Sequence, residues 1–225
     1  MSAPYPAKIS LVLTACLLLT SMNGCRQQRS GAVGIGVAPP VTVTKPLPAA
    51  SSSQLKLLIA GAVAQSEVTT GYDPAYVGLD YPNGDVAPET GVCSDVVVRA
   101  FRKAGIDLQK EVHEDMKAAW DEYPKKWGAA GTDSNIDHRR VLNLNTYFTR
   151  QKKSLPISAD RNDYLPGDVV AWELSEGVEH IGVMTDRWST PDEHCLVIHN
   201  IGLGARIEDV LFNWKIIGHY RYFAK

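Results

Sequence analysis

Apolar positions recur at helical spacing through the first part of the chain and at strand spacing through the last part. Leu55, Leu58, Ile59, Ala62 and Val63 fall on one face and predict a helix over Gln54–Glu67, with Ser52 and Ser53 available as caps. Val96, Val97, Ala100, Phe101 and Ala104 predict a second helix that opens at Cys93 and stops at Gly105. Further helices fit His113–Glu122, ended by Tyr123-Pro124, and Arg139–Gln151, preceded by Asp137. The pattern then shortens into β-rich runs between turns: Val169–Leu174, His180–Asp186, Cys195–Asn200 and Ile216–Phe223. Helices precede strands, so the class is α+β, with N-terminal helices packed on a C-terminal antiparallel meander. The turn-rich stretch Thr70–Thr90 is long for a loop inside a compact domain, and loops of that kind usually carry function.

Two segments precede this domain. In residues 1–24 a positive charge at Lys8 is followed by the apolar run Ile9–Thr20 and then by Ser21-Met22-Asn23-Gly24-Cys25, the pattern of a secretion signal. The run is shorter than the ~20 residues a membrane-spanning helix needs. A small residue before cysteine resembles a lipoprotein cleavage box, which makes Cys25 the expected lipidation site; plain cleavage and an uncleaved anchor are the alternatives. Residues 25–53 are rich in Gly, Ala, Pro, Ser and Thr without apolar periodicity and read as a disordered tether, leaving 54–225 as the folded domain. The chain is expected to be exported to the periplasm and held on a membrane through Cys25. The outer membrane is preferred, because Arg26-Gln27 lacks the aspartate linked to inner-membrane retention.

Composition narrows the function. With 44% hydrophobic residues in 225, there is material for one good-sized core. A formal net charge of −2, without a basic aromatic stripe, argues against nucleic acid as a partner. Cys16, Cys25, Cys93 and Cys195 form no C-x-x-C pair, and no metal or cofactor is expected. A monomer is expected.

The chemistry centres on Cys93. A thiol becomes a strong nucleophile as thiolate, and a helix N-terminus favours the anion. The unpaired N–H groups there can also hold an oxyanion. The base must be a histidine near the sulfur. His180 opens a strand, and alternation puts His180 and Gly182 on one face and Ile181 and Val183 on the other, with Gly182 leaving room beside the imidazole. If the His180 and His199 strands pair antiparallel, the start of one lies beside the end of the other, so His199 or Asn200 can orient His180.

A helix opening with Cys93, a strand opening His180-Ile181-Gly182-Val183 and a strand ending in His199 resemble the NlpC-type branch of papain-like cysteine peptidases. That resemblance implies a papain-like, NlpC-like fold and hydrolysis of peptidoglycan peptides. It maps Cys93 to the nucleophile, His180 to the base, His199 to the orienting residue and Tyr81 to an upstream tyrosine. Asp95 stands where a small residue is usual, at a position open to substrate contact. A longer resemblance, to the YijF-like bacterial family of unknown function, runs through Tyr81–Asp85, Gly91–Val97, Asp137–Val141, Pro166–Val169, His180–Val183, His199–Gly202 and Gly218–Tyr222.

His138, Arg139 and Arg140 form the other unusual run. Two arginines beside a histidine suit a substrate carboxylate, and a capped helix start with paired arginines is the structural alternative. Cys93 has its own bland readings: a buried core residue, or a disulfide with Cys195. Two other functions keep the same fold: an acyltransferase that uses the same thiol, and a non-catalytic wall-binding scaffold.

Overall fold

The computed structural model of the chain describes residues 41–190 and 193–223. Among them are helices α1 (Ser53–Val68), α2 (Cys93–Lys103), α3 (Leu108–Ala118) and α4 (Val141–Arg150). The strands are β1 (Val41–Thr44), β2 (Val169–Glu173), β3 (Glu179–Thr190), β4 (Cys195–Asn200), β5 (Ala205–Glu208) and β6 (Lys215–Tyr220). The class is α+β, as the change of period along the chain indicates.

The sheet runs β5-β4-β3-β2-β6, with β1 on β3 and every pairing antiparallel. Strands β2 to β5 form the expected meander, and β6 returns to the free side of β2. Alternation sorts the two faces. Val169, Ala171, Ile181, Val183 and Ile198 join the core under the helices. Val170, Trp172, Met184 and Val197 join a second cluster, with Val210 and Leu211, on the far face.

Helix α1 is capped by the Ser52 hydroxyl, which accepts from the Leu55 N–H at 3.1 Å. It lies close on α2, because a Cβ at Gly61 would come within 2.5 Å of Lys103 Cβ. Gln65 fastens the pair by donating to the Val96 carbonyl at 2.9 Å. Helix α2 is buried along most of its length, and Gly105, at φ +87°, ends its turn in the left-handed conformation.

Three boundaries differ from expectation. Helix α3 starts early because Asp107 caps it, accepting from the Gln109 N–H at 3.2 Å. The expected Arg139–Gln151 helix is divided into a 3-10 turn at Asp137–Arg139, an extended Arg140 and then α4. The tether does not reach Ser53: Val41-Thr42-Val43-Thr44, an alternating β-branched run, pairs with the far end of β3, Thr44 opposite Arg187. Residues 1–24, Cys25 and the tether through residue 40 lie outside the described residues. Among the described residues no helix is long and apolar enough to cross a membrane.

Candidate active site

Cys93 is the first residue of α2, where the helix packs on the face of β3 that carries Ile181 and Val183. Its thiol abuts the peptide unit joining His180 to Ile181, with the Ile181 N–H directed at the sulfur. Burial pushes the thiol up to about 12, and the nearby Asp95 carboxylate adds to that; the N–H groups of Ile181, Ser94 and Cys93 act in the opposite sense. The helix terminus alone therefore does not deliver the thiolate that the sequence suggests, because desolvation outweighs it.

His180 is buried and sits opposite Trp172 in the β2–β3 register, on the face expected from alternation. Its Nε2 lies 2.8 Å from Nδ1 of His199, and His199 Nε2 lies 3.0 Å from Glu208 Oε2. Trp214 covers both rings, with centroids 5.8 Å from His180 and 6.1 Å from His199. Burial, followed by the neighbouring His199, lowers His180 to about 3. Burial also lowers His199, against the pull of Glu208. Burial thus favours the neutral form of both imidazoles. The room at Gly182 is taken by β4: a Cβ there would meet the Ile198 carbonyl at 2.7 Å and His199 Cβ at 3.1 Å.

Asn200 does not touch His180. Its Nδ2 donates to the carbonyls of Gly71 and Gly91, each at 3.0 Å, tying the loop before α2 to the end of β4. Of the two candidates for the orienting group, His199 alone contacts His180.

A cleft of about 350 Å³ opens on Cys93, bounded by Tyr72, Tyr76, Trp127, Arg139, Arg140 and Val178 among others. Tyr72 lines it. Burial raises its phenol, and the proximity of Cys93 comes next among the causes. Tyr81 is a correction: its hydroxyl donates to Glu114 Oε1 at 2.6 Å and its ring packs edge-on against His113, away from the cleft. Asp95 is another. It is 3% exposed and accepts from Arg139 Nε and Nη2, both at 3.0 Å, and from the Val92 N–H at 2.7 Å, so its oxygens serve the protein and not a substrate. Arg139 also donates to the carbonyls of Ala75 and Asp73, holding one rim of the cleft. His138 is 2% exposed and does not line the cleft; burial holds it down to about 4. Its Nδ1 has no partner among the described residues. Arg140 does reach the cleft, its guanidinium 4.6 Å from the Trp127 ring centroid.

Cys93 and Cys195 are both free, so the alternative disulfide is not formed. Among the described residues no three His, Cys, Asp or Glu side chains converge to hold a metal ion. Reasoning from sequence missed Glu208 and Tyr72. The Asn200–Ala205 turn gave too little signal to place Glu208 on a strand, and Tyr72 was hidden in the loop that Tyr81 also occupies.

Fold and site together define an α+β domain in which a buried, helix-borne thiol borders a cleft, and strand β3, whose Ile181 N–H is directed at that sulfur, also carries one of two hydrogen-bonded imidazoles. The chain belongs to the family described as "Domain of unknown function (DUF1287)", whose match spans residues 59–222. It is 58% identical, over 165 residues, to the uncharacterized protein YijF of Escherichia coli (strain K12), covering 73% of this chain and 80% of that one. Among solved structures it is similar to an N-acetylmuramoyl-L-alanine amidase from Bacteroides uniformis ATCC 8492 (12% identity, TM-score 0.45, 77% of this chain and 100% of that one). It is also similar to an NLP/P60-family protein, described as similar to lipoprotein, from Staphylococcus aureus subsp. aureus Mu50 (13% identity, TM-score 0.38, 80% of this chain and 46% of that one).

Proposed function

We propose that this protein is a cysteine hydrolase of the bacterial cell envelope that cleaves an amide bond in peptidoglycan peptides. The observation that carries the reading is the 2.8 Å His180–His199 contact on the same strand whose Ile181 N–H, one residue on, is directed at the Cys93 thiol. With Nε2 of His180 engaged, Nδ1 is the nitrogen left to serve the thiol. Both partners start neutral, so the sulfur loses its proton to His180 as it attacks the carbonyl, not before. N–H groups at the start of α2 hold the oxyanion. His180 then gives the proton to the leaving amine, and water releases the acyl group from the thioester. The substrate class rests on the motif resemblance and the export leader.

Arg140 supplies substrate recognition in this reading. Arg139 is committed to Asp95 and Lys126 to Glu179. Arg140 is then the cleft cation without an ion-pair partner among the described residues, and a substrate carboxylate would complete it. Cys25 anchors the domain to the periplasmic face of a membrane. The test is digestion of purified wall material with identification of the products: wild type releases peptide fragments and Cys93→Ala does not. Equal release by both would refute the assignment. Adding a free amine separates hydrolysis from acyl transfer by product mass.

A further inference from the structure

We propose that Glu208 is a positioning residue that sets the tautomer of both histidines and thereby creates the base. The kinetic part of this inference rests on the hydrolase reading; the tautomer part stands without it. The argument follows hydrogen-bond polarity along three side chains. An ionised carboxylate only accepts, so Glu208 Oε2, 3.0 Å from His199 Nε2, requires the proton on that nitrogen. A neutral His199 then presents a lone pair at Nδ1. Nδ1 lies 2.8 Å from His180 Nε2, so the proton there belongs to His180. A neutral His180 with a protonated Nε2 has a bare Nδ1, the form that can take a proton from Cys93.

The reverse chain fails at its outer end. With His180 protonated on Nδ1, Nε2 must accept from His199 Nδ1, and His199 would turn a lone pair toward the carboxylate. The His199 side chain is 1% exposed and Trp214 lies beside its ring, so the histidine side of that mismatch is shielded from water. Glu208 sits at the end of the short strand β5, paired in register with Val197 on β4, so the backbone holds its side chain beside His199. Its side chain is 41% exposed, which makes it replaceable without opening the core.

Long-range ¹H–¹⁵N NMR of the full chain reads each tautomer directly. In wild type we expect His180 and His199 both protonated at Nε2. Glu208→Leu removes the acceptor and should move His180 toward the Nδ1–H form. Glu208→Lys replaces an acceptor with a donor and should invert both rings. On wall peptides both variants should lose about 10-fold or more in kcat, with KM little changed. If either variant fails to fold, the other carries the test. Unaltered tautomers in a folded variant overturn the proposal, even if activity falls. Shifted tautomers in a chain with no hydrolytic activity support it and count against the hydrolase reading alone.

Discussion

The two described cysteines invite comparison, because burial alone does not tell them apart. Cys93 is 6% exposed and Cys195 3%, and burial pushes both thiols up to about 12. Their surroundings differ in sign. Cys195 Sγ lies 3.3 Å from the Tyr164 carbonyl, an acceptor that keeps the hydrogen on sulfur, within the apolar cluster of the far sheet face. Cys93 has N–H donors aimed at its sulfur and borders a cleft and the peptide of a histidine whose other nitrogen is engaged. Donors and an opening favour reactivity at Cys93 in the proposed reading; an acceptor and a closed core disfavour it at Cys195.

The comparison can be broken by mutation. Cys93→Ala should lower turnover of wall peptides on the order of 10⁴-fold with little change in melting temperature. Cys195→Ala should leave turnover intact and cost about 1–2 kcal/mol of stability through the cavity it creates. Parallel activity and thermal-melt measurements check both. After Cys93→Ala, the next largest effect is that of Asp95→Ala. It leaves Arg139 buried and unpaired and should cost about 3–5 kcal/mol in denaturant unfolding. It also removes the carboxylate that opposes ionisation of Cys93, so any folded fraction should alkylate faster at that residue.

The neutral site also has a pH signature. The unfolded chain protonates histidine near 6.5, whereas folded His180 waits until about 3 and His138 until about 4. Between those values the folded state binds fewer protons, so stability falls as pH drops below about 6.5. The slope is about 1.4 kcal/mol per pH unit for each histidine. Urea titrations at a series of pH values should show it, and His138→Asn should reduce it. Because the base is already neutral, kcat/KM should lack an acid limb near 6.5 due to His180. The smallest effect belongs to the cleft. Arg140→Gln should raise KM about 3- to 10-fold for substrates with a free carboxylate and leave amidated ones unchanged, as paired kinetic assays would show.

Much of this site was legible in the sequence because it depends on local period. The helix opening at Cys93 follows from the spacing of Val96, Val97, Ala100 and Phe101. The meeting of His180 and His199 follows from strand alternation and an antiparallel hairpin. What stayed hidden depends on pairings between distant residues. Asp95 looked free until Arg139, 44 positions away, proved to be its partner. Asn200 and His199 are neighbours in sequence, yet alternation sends one to the loop carbonyls and the other to His180. Strand β5 is four residues long, too short to announce itself, and Glu208 was lost with it. The helix-terminus argument for a low thiol pKa failed for a similar reason: it counts local dipoles and omits the desolvation imposed by the packed sheet.

Competitive alkylation of Cys93 and Cys195 at neutral pH, read by peptide mass spectrometry, tests the thiol–imidazole pairing most directly. The account predicts that Cys93 reacts at least about 10-fold faster than Cys195 in the native chain, and that His180→Ala brings it down to the rate of Cys195. Equal rates in the native chain, or a Cys93 rate indifferent to His180, would contradict it.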